Sequence, residues 1–416
     1  MTSTFETYLD RLDLADLYRD RTHSRDAVVA AIRSIDSAIS DQEGHGFEPT
    51  PFSPQPELAK SLGLDTTVEL WVKDETNNVS GSHKARHLFG VALRDSLAAS
   101  APDAPFAIAS CGNAALGASV IAHAVDHGID VFVPQWANEG VVDQIESLGG
   151  RVLRCDRQPG VLGDPAHHAM VEAIENGAVA FSCQGTETPT AIDGGRTLAF
   201  EMADTLGAHD GGVGRLDRLF IQVGGGALGS AIVTGLARAS DLVTMPVVHA
   251  VQPVGNHPLV RAWDCLIADI GGREPAVTNH QRQTAAAELG PLVGDALAKA
   301  MRMLTTNPER YMAVWPDEPT SYATGILDDI TYDWLALMEA MLTTGGFALV
   351  ASEDALQRAH QLGHQHTDIA VCPTGSAGLG GLVQAIDELD ELVSAGERVA
   401  VVFSGHMRPG DPDPLA

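Results

Sequence analysis

The chain has 416 residues, 44% of them hydrophobic, with 26 basic against 55 acidic side chains and a formal net charge of −29. That length supports a sizeable core shared between two domains, and the charge repels phosphate backbones and anionic surfaces, which argues against nucleic-acid and membrane partners. The first residues, Met1-Thr2-Ser3-Thr4-Phe5-Glu6, lack the basic and apolar regions of a signal peptide, and no run of about 18 apolar residues would span a bilayer, so a cytoplasmic location is expected.

Taken in chain order, acidic amphipathic helices are expected around Phe5–Asp20 and Ser24–Ser40. From Val68 onward short β-branched runs alternate with alanine-rich helical stretches such as Ala114–Asp126 and Ser230–Ala239. The predicted strands are Val68–Asp74, Phe106–Ala109, Asp130–Pro134, Arg151–Cys155, Ala178–Ser182, Leu219–Val223, Val247–Val251 and Val399–Phe403. Continuous apolar strands alternating with helices imply βαβ units and an open, twisted α/β fold. A helical excursion is expected over 271–319, bounded by Gly271-Gly-Arg-Glu-Pro and Pro316-Asp-Glu-Pro319. Cys111, Cys155, Cys183, Cys265 and Cys372 are odd in number and form no C-x-x-C pair, so reduced thiols are expected. His360, His364 and His366 share helical spacing, but no second cluster accompanies them; a solvated helix face is expected, and no metal.

Four motifs carry chemistry. Lys84, one of only four lysines, lies in Ser80-Gly-Ser-His-Lys84-Ala-Arg86 between a strand and a helix. A small-residue turn there would present a primary amine, which arginine cannot replace as a nucleophile. After the strand Leu219–Val223 come Gly224, Gly225, Gly226, Ala227, Leu228 and Gly229, then a helix. Such a turn brings backbone N–H groups and a helix N-terminus against an anion. Gly224, Gly226 and Gly229 also satisfy the dinucleotide pattern, but the next strand ends in Gln252-Pro253 instead of an acidic residue, so a lone phosphate suits the turn better than a dinucleotide. Ser110-Cys111-Gly112-Asn113-Ala114 opens a helix and would suit a substrate carboxylate, with Asn113 donating to a phenolate oxygen; an ordinary helix cap is the competing reading. Ser404 ends the last strand, where ligands of parallel sheets sit, with a routine Ser-Gly turn as the competing reading. An amine, a seat for one phosphate, an amide for a ring oxygen and a hydroxyl for a ring nitrogen together make an inventory for pyridoxal phosphate.

These segments resemble the fold type II pyridoxal-phosphate enzymes, the tryptophan synthase β-like group, and within it the threonine synthase and threonine dehydratase branch. Trp71-Val-Lys-Asp-Glu75 with Ser80–Arg86 is similar to the branch's strand and T-G-S-F-K-x-R segment, Ser110-Cys-Gly-Asn113 to its S-S-G-N loop, and Asp193-Gly-Gly-Arg-Thr197 to its E-G-x-x-T helix start. Gly224–Gly229, Pro373-Thr-Gly-Ser-Ala-Gly378 and Ser404-Gly-His406 complete an ordered set over roughly residues 50 to 408. The resemblance implies two open twisted sheets flanked by helices and a homodimer. It also implies an N-terminal helical extension (1–49), a larger cofactor-binding domain (50–84 with 191–416) and a smaller mobile domain (85–190). Lys84 would hold the cofactor as a Schiff base and remove the substrate's α-proton, with Ser404 facing the pyridine nitrogen. The implied reaction is β-elimination from a small amino acid to a 2-oxo acid and ammonia. Threonine synthase-like or sulfhydrylase-like replacement is the nearest alternative, and a dinucleotide-binding α/β protein the more distant one. The chain departs from the pattern at His83, at Cys111, and at Thr188-Pro-Thr-Ala191, where threonine synthases carry the arginine that grips a substrate phosphate. His83 and His87, flanking the lysine, are candidate acids for a leaving hydroxyl, with packing or solvent exposure as the plainer reading.

Overall fold

The computed structural model describes residues 2–98, 104–157, 163–389 and 391–415. The chain packs as two compact units, Met1–Thr50 with Asn77–Phe200, and Pro51–Thr76 with Glu201–Ala416. Among the described residues there are ten strands: β1 (Phe52–Pro54), β2 (Glu69–Asp74), β3 (Phe106–Ala109), β4 (Ile129–Pro134), β5 (Arg151–Cys155), β6 (Val179–Ala180), β7 (Arg218–Gln222), β8 (Val247–Pro253), β9 (Ala348–Ala351) and β10 (Arg398–Phe403). They form two helix-flanked sheets, as the α/β reading anticipates.

In the first unit four parallel strands run in the order β5-β4-β3-β6. The helix Arg25–Glu43 follows its sequence signals: Ser24 accepts from Ala27 N at 3.1 Å, Gly44 ends the helix at φ 84°, and Val28, Ile32, Ile35 and Ile39 form the buried stripe. The stretch expected as a helix over Phe5–Asp20 is instead broken into short turns around Leu12, whose backbone is extended. The break has a tertiary cause. It frees the amides of Asp13 and Leu14, which donate to the Asp193 carboxylate at 2.9 Å each. Phe5 also stacks on Phe89 at 4.1 Å and meets Phe47 edge-on at 5.1 Å. Residues 1–49, expected as an extension, therefore pack within this unit, and residues 77–84 and 191–200, expected in the larger domain, fall here too.

In the second unit the order is β1-β2-β10-β7-β8-β9, parallel except for β1. The edge strands β1 and β9 were not among the predicted strands, although Phe347-Ala-Leu-Val-Ala351 is an apolar run like that of β3. Pro51 and Pro54 bracket β1, which an edge tolerates because one side of the strand needs no ladder. The excursion 271–319 holds helices Asn279–Leu289, Gly294–Thr306 and Pro308–Tyr311. No helix of the described residues is long and apolar enough to cross a membrane.

Of the trio expected on a solvated face, His360 and His364 are bonded to the fold instead, while His366 is half-buried. His360 is fully buried; its Nε2 donates to the Val371 carbonyl at 2.9 Å, and its Nδ1 accepts from the Tyr322 hydroxyl at 2.8 Å. His364 Nε2 reaches the same carbonyl at 2.7 Å. The sequence shows the helical spacing but not the strand-like segment that meets it.

Buried imidazoles give this fold an acid sensitivity. His249 stacks on Phe220 at 4.7 Å, and burial, followed by the charge of Arg218, pushes its pKa down to about 3; burial does the same to His87. The unfolded chain takes up these protons first, near pH 6.5, so their contribution is intact above that pH and is lost as pH falls toward 3. The two together should remove roughly 4–5 kcal/mol between pH 6.5 and 4.5. Urea midpoints at pH 7 and 4.5 should show a smaller loss for His249→Phe; an identical loss would show that other groups carry the effect.

Candidate active site

The lysine turn belongs to the first unit. Asn78 Oδ1 accepts from Val79 N at 2.8 Å, and Ser80 and Gly81 follow with positive φ of 58° and 69°. A left-handed serine is uncommon and is held here by Glu43, whose carboxylate accepts from Ser80 N at 3.0 Å. The helix Lys84–Ala98 then begins, with every residue from Ala85 to Leu93 buried.

Glycines let two other helices approach this turn closely. A Cβ on Gly117, in the helix Asn113–Ala124, would lie 3.2 Å from Ala85 N and 3.3 Å from Ser80 Oγ. One on Gly194, in the helix Pro189–Asp210, would lie 2.3 Å from the Arg86 carbonyl. The first contact joins the helix that opens at Asn113 to the lysine turn, so the tertiary structure brings two of the sequence motifs together. The Asp193–Thr197 motif supports the turn: Thr197 Oγ1 accepts from Arg86 Nη1 at 3.1 Å, and Thr50 Oγ1 accepts from Arg86 Nη2 at 3.1 Å.

The four lysines differ sharply in environment. Lys60 and Lys299 are exposed, and Lys73 is fully buried with its Nζ 2.6 Å from Glu201 Oε2 and 3.9 Å from Glu75 Oε1. Lys84 is half-buried and makes no side-chain hydrogen bond or ion pair among the described residues. It is the one amine both sheltered and uncommitted.

Its histidine neighbours are fixed by their partners. His87 Nδ1 lies 2.9 Å from the Ala191 carbonyl, which only accepts, so Nδ1 carries the proton. Burial holds the His87 pKa down at about 3, leaving Nε2 bare to accept from His83 Nδ1 at 3.2 Å. Burial also puts His83 well below the ordinary histidine range, followed by the charges of Lys84, His87 and Arg86. Their ring protons are engaged, one on the Ala191 carbonyl and one between the rings, which makes them poor acids for a leaving hydroxyl.

Ser110–Ala114 follows β3, the strand between β4 and β6. Gly112 is the N-cap, with no side-chain capping bond, and Ser110 Oγ accepts from Gly112 N at 3.4 Å. All five residues are half-buried. Burial, then the charge of Asp164, pushes the Cys111 thiol up to about 11, which keeps it protonated and fits a substitute for serine in size.

The second unit gathers the other two motifs. β7 and β10 are parallel neighbours, so the glycine turn after one and Ser404 after the other share a sheet edge. Among the described residues, the N–H groups of Gly224 to Leu228 have no protein acceptor. Gly226 has φ 95°, and a Cβ there would come within 3.0 Å of Thr331 Cγ2. A run of buried amides at a helix start seeks an anion. The sequence missed what covers the turn: Asp333 N donates to Gly225 O at 2.8 Å, and a Cβ on Gly224 would lie 2.5 Å from Asp328 Oδ2. Nothing in residues 324–333 foretells a partner a hundred positions upstream.

The dinucleotide alternative meets an obstacle at the end of β8. Gln252 is fully buried; its Oε1 accepts from Leu259 N at 2.8 Å and Val260 N at 3.2 Å, capping the helix Pro258–Gly271. The position that would hold a ribose is spent on the fold.

The profile of a family described as "Pyridoxal-phosphate dependent enzyme" matches residues 45–405. The chain belongs to the pyridoxal-phosphate dependent enzymes. It is 28% identical over 189 residues to an L-serine dehydratase of Saccharomyces cerevisiae (strain YJM789), covering 44% of this chain and 56% of that one. The chain thus spans little more than half the length of that relative. It is 25% identical over 351 residues to a threonine synthase of Mycobacterium bovis, covering 84% of this chain and 79% of the other. The solved structure of the processed form of threonine deaminase isoform 2 from Solanum lycopersicum shares the fold at a TM-score of 0.61 and 15% identity, covering 93% of this chain and 92% of that chain. The cofactor of this pyridoxal-phosphate enzyme fits the residues present: an uncommitted sheltered lysine, and a glycine turn whose amides lack acceptors within the described protein.

Proposed function

We propose that this pyridoxal-phosphate enzyme eliminates a β-hydroxyl or similar group from a small amino acid, releasing a 2-oxo acid and ammonia. The observation that carries the proposal is Lys84, the sole lysine of the four that is half-buried without an ionic partner among the described residues. The bound cofactor supplies the electron sink that lets the α-carbon release its proton. Lys84 would hold the cofactor covalently, and its Nζ would take the proton released from the α-carbon. The amides of Ser110, Cys111, Gly112, Asn113 and Ala114 orient the substrate carboxylate, and the Asn113 side chain donates to the ring oxygen. Gly224, Gly225, Gly226, Ala227, Leu228 and Gly229 seat the phosphate, and the Ser404 hydroxyl meets the pyridine nitrogen. In this reading the second unit supplies the phosphate seat and Ser404, and the first supplies Lys84 and the substrate loop.

Thr188-Pro-Thr-Ala191 contains no arginine, and Thr188 Oγ1 is already within 3.2 Å of the Gln184 carbonyl, which favours an unphosphorylated substrate over a replacement reaction on a phosphorylated one. We further propose a cytoplasmic location, supported by the five free thiols, and a homodimer, which rests on the family resemblance alone.

Incubation with L-serine, L-threonine, O-acetylserine with and without sulfide, and O-phosphohomoserine separates the readings. Elimination predicts 2-oxo acid and ammonia in equal amounts from serine or threonine. Threonine from the phosphorylated substrate, or a thiol adduct from O-acetylserine, would transfer the assignment to replacement. Light scattering after gel filtration reads the oligomeric state.

A further inference from the structure

Gln222 is the last residue of β7, just before the glycine turn, and it is buried. Its Nε2 lies 2.9 Å from the Gly375 carbonyl, 3.1 Å from the Val402 carbonyl and 2.9 Å from Ser404 Oγ. Carbonyl oxygens only accept, so two of them on one side fix which end of the amide is nitrogen. The other end, Oε1, has no hydrogen-bond partner among the described residues and is approached by Gly378, where a Cβ would come within 2.7 Å.

This arrangement has a consequence for the serine. An amide nitrogen has two protons to give, shared here among three acceptors, and no lone pair to offer. Ser404 Oγ can therefore only accept from Gln222, and the serine's own proton must lie on another side of the oxygen. The Ser404 backbone is held as well, its N donating to the Gly375 carbonyl at 3.3 Å. Backbone and hydroxyl are thus both referred to the same short segment, Gly375. A glutamine retained here with half of its amide unsatisfied costs stability, since an apolar side chain would bury no orphan oxygen. Tying backbones together does not by itself explain why the third contact is to a hydroxyl.

We infer that Gln222 is a positioning residue that fixes the Ser404 hydroxyl as a proton donor, so that the cofactor's ring nitrogen is met as an acceptor and kept unprotonated. The inference rests on the proposed placement of that nitrogen at Ser404. It deepens the functional reading because a ring held neutral is a weaker electron sink, which favours prompt loss of a β-substituent over a persistent carbanion.

The test uses the full-length holoenzyme loaded with cofactor carrying nitrogen-15 in the ring, whose chemical shift distinguishes protonated from bare nitrogen. In the wild type the unprotonated signal should persist from pH 6 to 9. Gln222→Glu introduces a group that can accept the serine proton, reversing the hydroxyl, and the signal should move to the protonated position. Gln222→Met frees the hydroxyl without reversing it, and the midpoint for ring protonation should rise by about one pH unit, a tenfold change. Circular dichroism identifies a variant that fails to fold, and either variant alone decides the matter. A wild-type protonation midpoint in a folded, cofactor-loaded Gln222→Met protein, or an unprotonated wild-type signal in Gln222→Glu, overturns the inference. Ser404→Ala separates the two levels: if it leaves the ring signal and its pH response untouched, the placement at Ser404 is at fault. If it abolishes the difference between the Gln222 variants, the coupling is as inferred.

Discussion

Lys84→Ala protein should purify without the visible absorbance of lysine-bound cofactor, and borohydride should no longer fix the cofactor to the chain. Turnover of the preferred amino acid should fall on the order of 10³-fold, because the group that moves the α-proton is gone as well as the attachment point. The fold should survive. Lys84 stands at the first position of its helix, its side chain satisfies no buried partner among the described residues, and alanine is a good helix former. Melting temperature and far-ultraviolet circular dichroism of the apoprotein should therefore match the wild type. A variant that keeps the visible band would show that another amine carries the cofactor, and Lys73 is the residue that would then have to be considered.

Lys73→Met should give the opposite pattern, with attachment retained and stability sharply reduced. Lys73 lies on β2 beside Val402 of β10, fully buried. It neutralises part of a pair of buried carboxylates, Glu201 at 2.6 Å and Glu75 at 3.9 Å. Methionine fills nearly the same volume but leaves those carboxylates without the cation, a loss of about 3–5 kcal/mol for a broken buried pair. Urea denaturation measures it. Replacing Lys73 and Glu201 together by Met and Gln should restore a substantial part of that loss; equal loss in the single and double variants would mean that packing, not charge, is at stake. Together the two lysine variants separate a chemical amine from a structural one.

The same pair shows how far the residues could be read before the fold was known. Both lysines follow or lie in apolar strand-like sequence, and only the small-residue turn ahead of Lys84 marked it as reactive. The strand β5 matched its expected bounds although it is an edge strand with two arginines and no fully buried residue. The strand core β3 was legible to the residue, because a buried parallel strand is a continuous apolar run. The short edge strand β1 was not, since edges carry little apolar signal and its prolines argued against it. The helix expected over Phe5–Asp20 failed for a different reason: its amphipathic pattern is real, but the amides of Asp13 and Leu14 bind a carboxylate 180 and 179 residues away, and that bond outweighs local preference.

The candidate site divides along the same line. Motif spacing alone pointed to Lys84, the Asn113 helix start, the glycine turn and Ser404, because each is a local device, a turn or a helix end whose chemistry depends on a few consecutive residues. Gln222, Gln252, the cover formed by residues 324–333 and the neutral His83–His87 pair came only from the fold. Their roles are set by what faces them across long sequence separations, where a hydrogen-bond direction or the burial of a ring is decided. Sequence by itself determined the family and proposed a chemical inventory in its order along the chain. Tertiary structure decided which of those groups are charged, which are already bonded and which way their protons point, because desolvation and partner geometry are properties of neighbours that the chain meets only after folding.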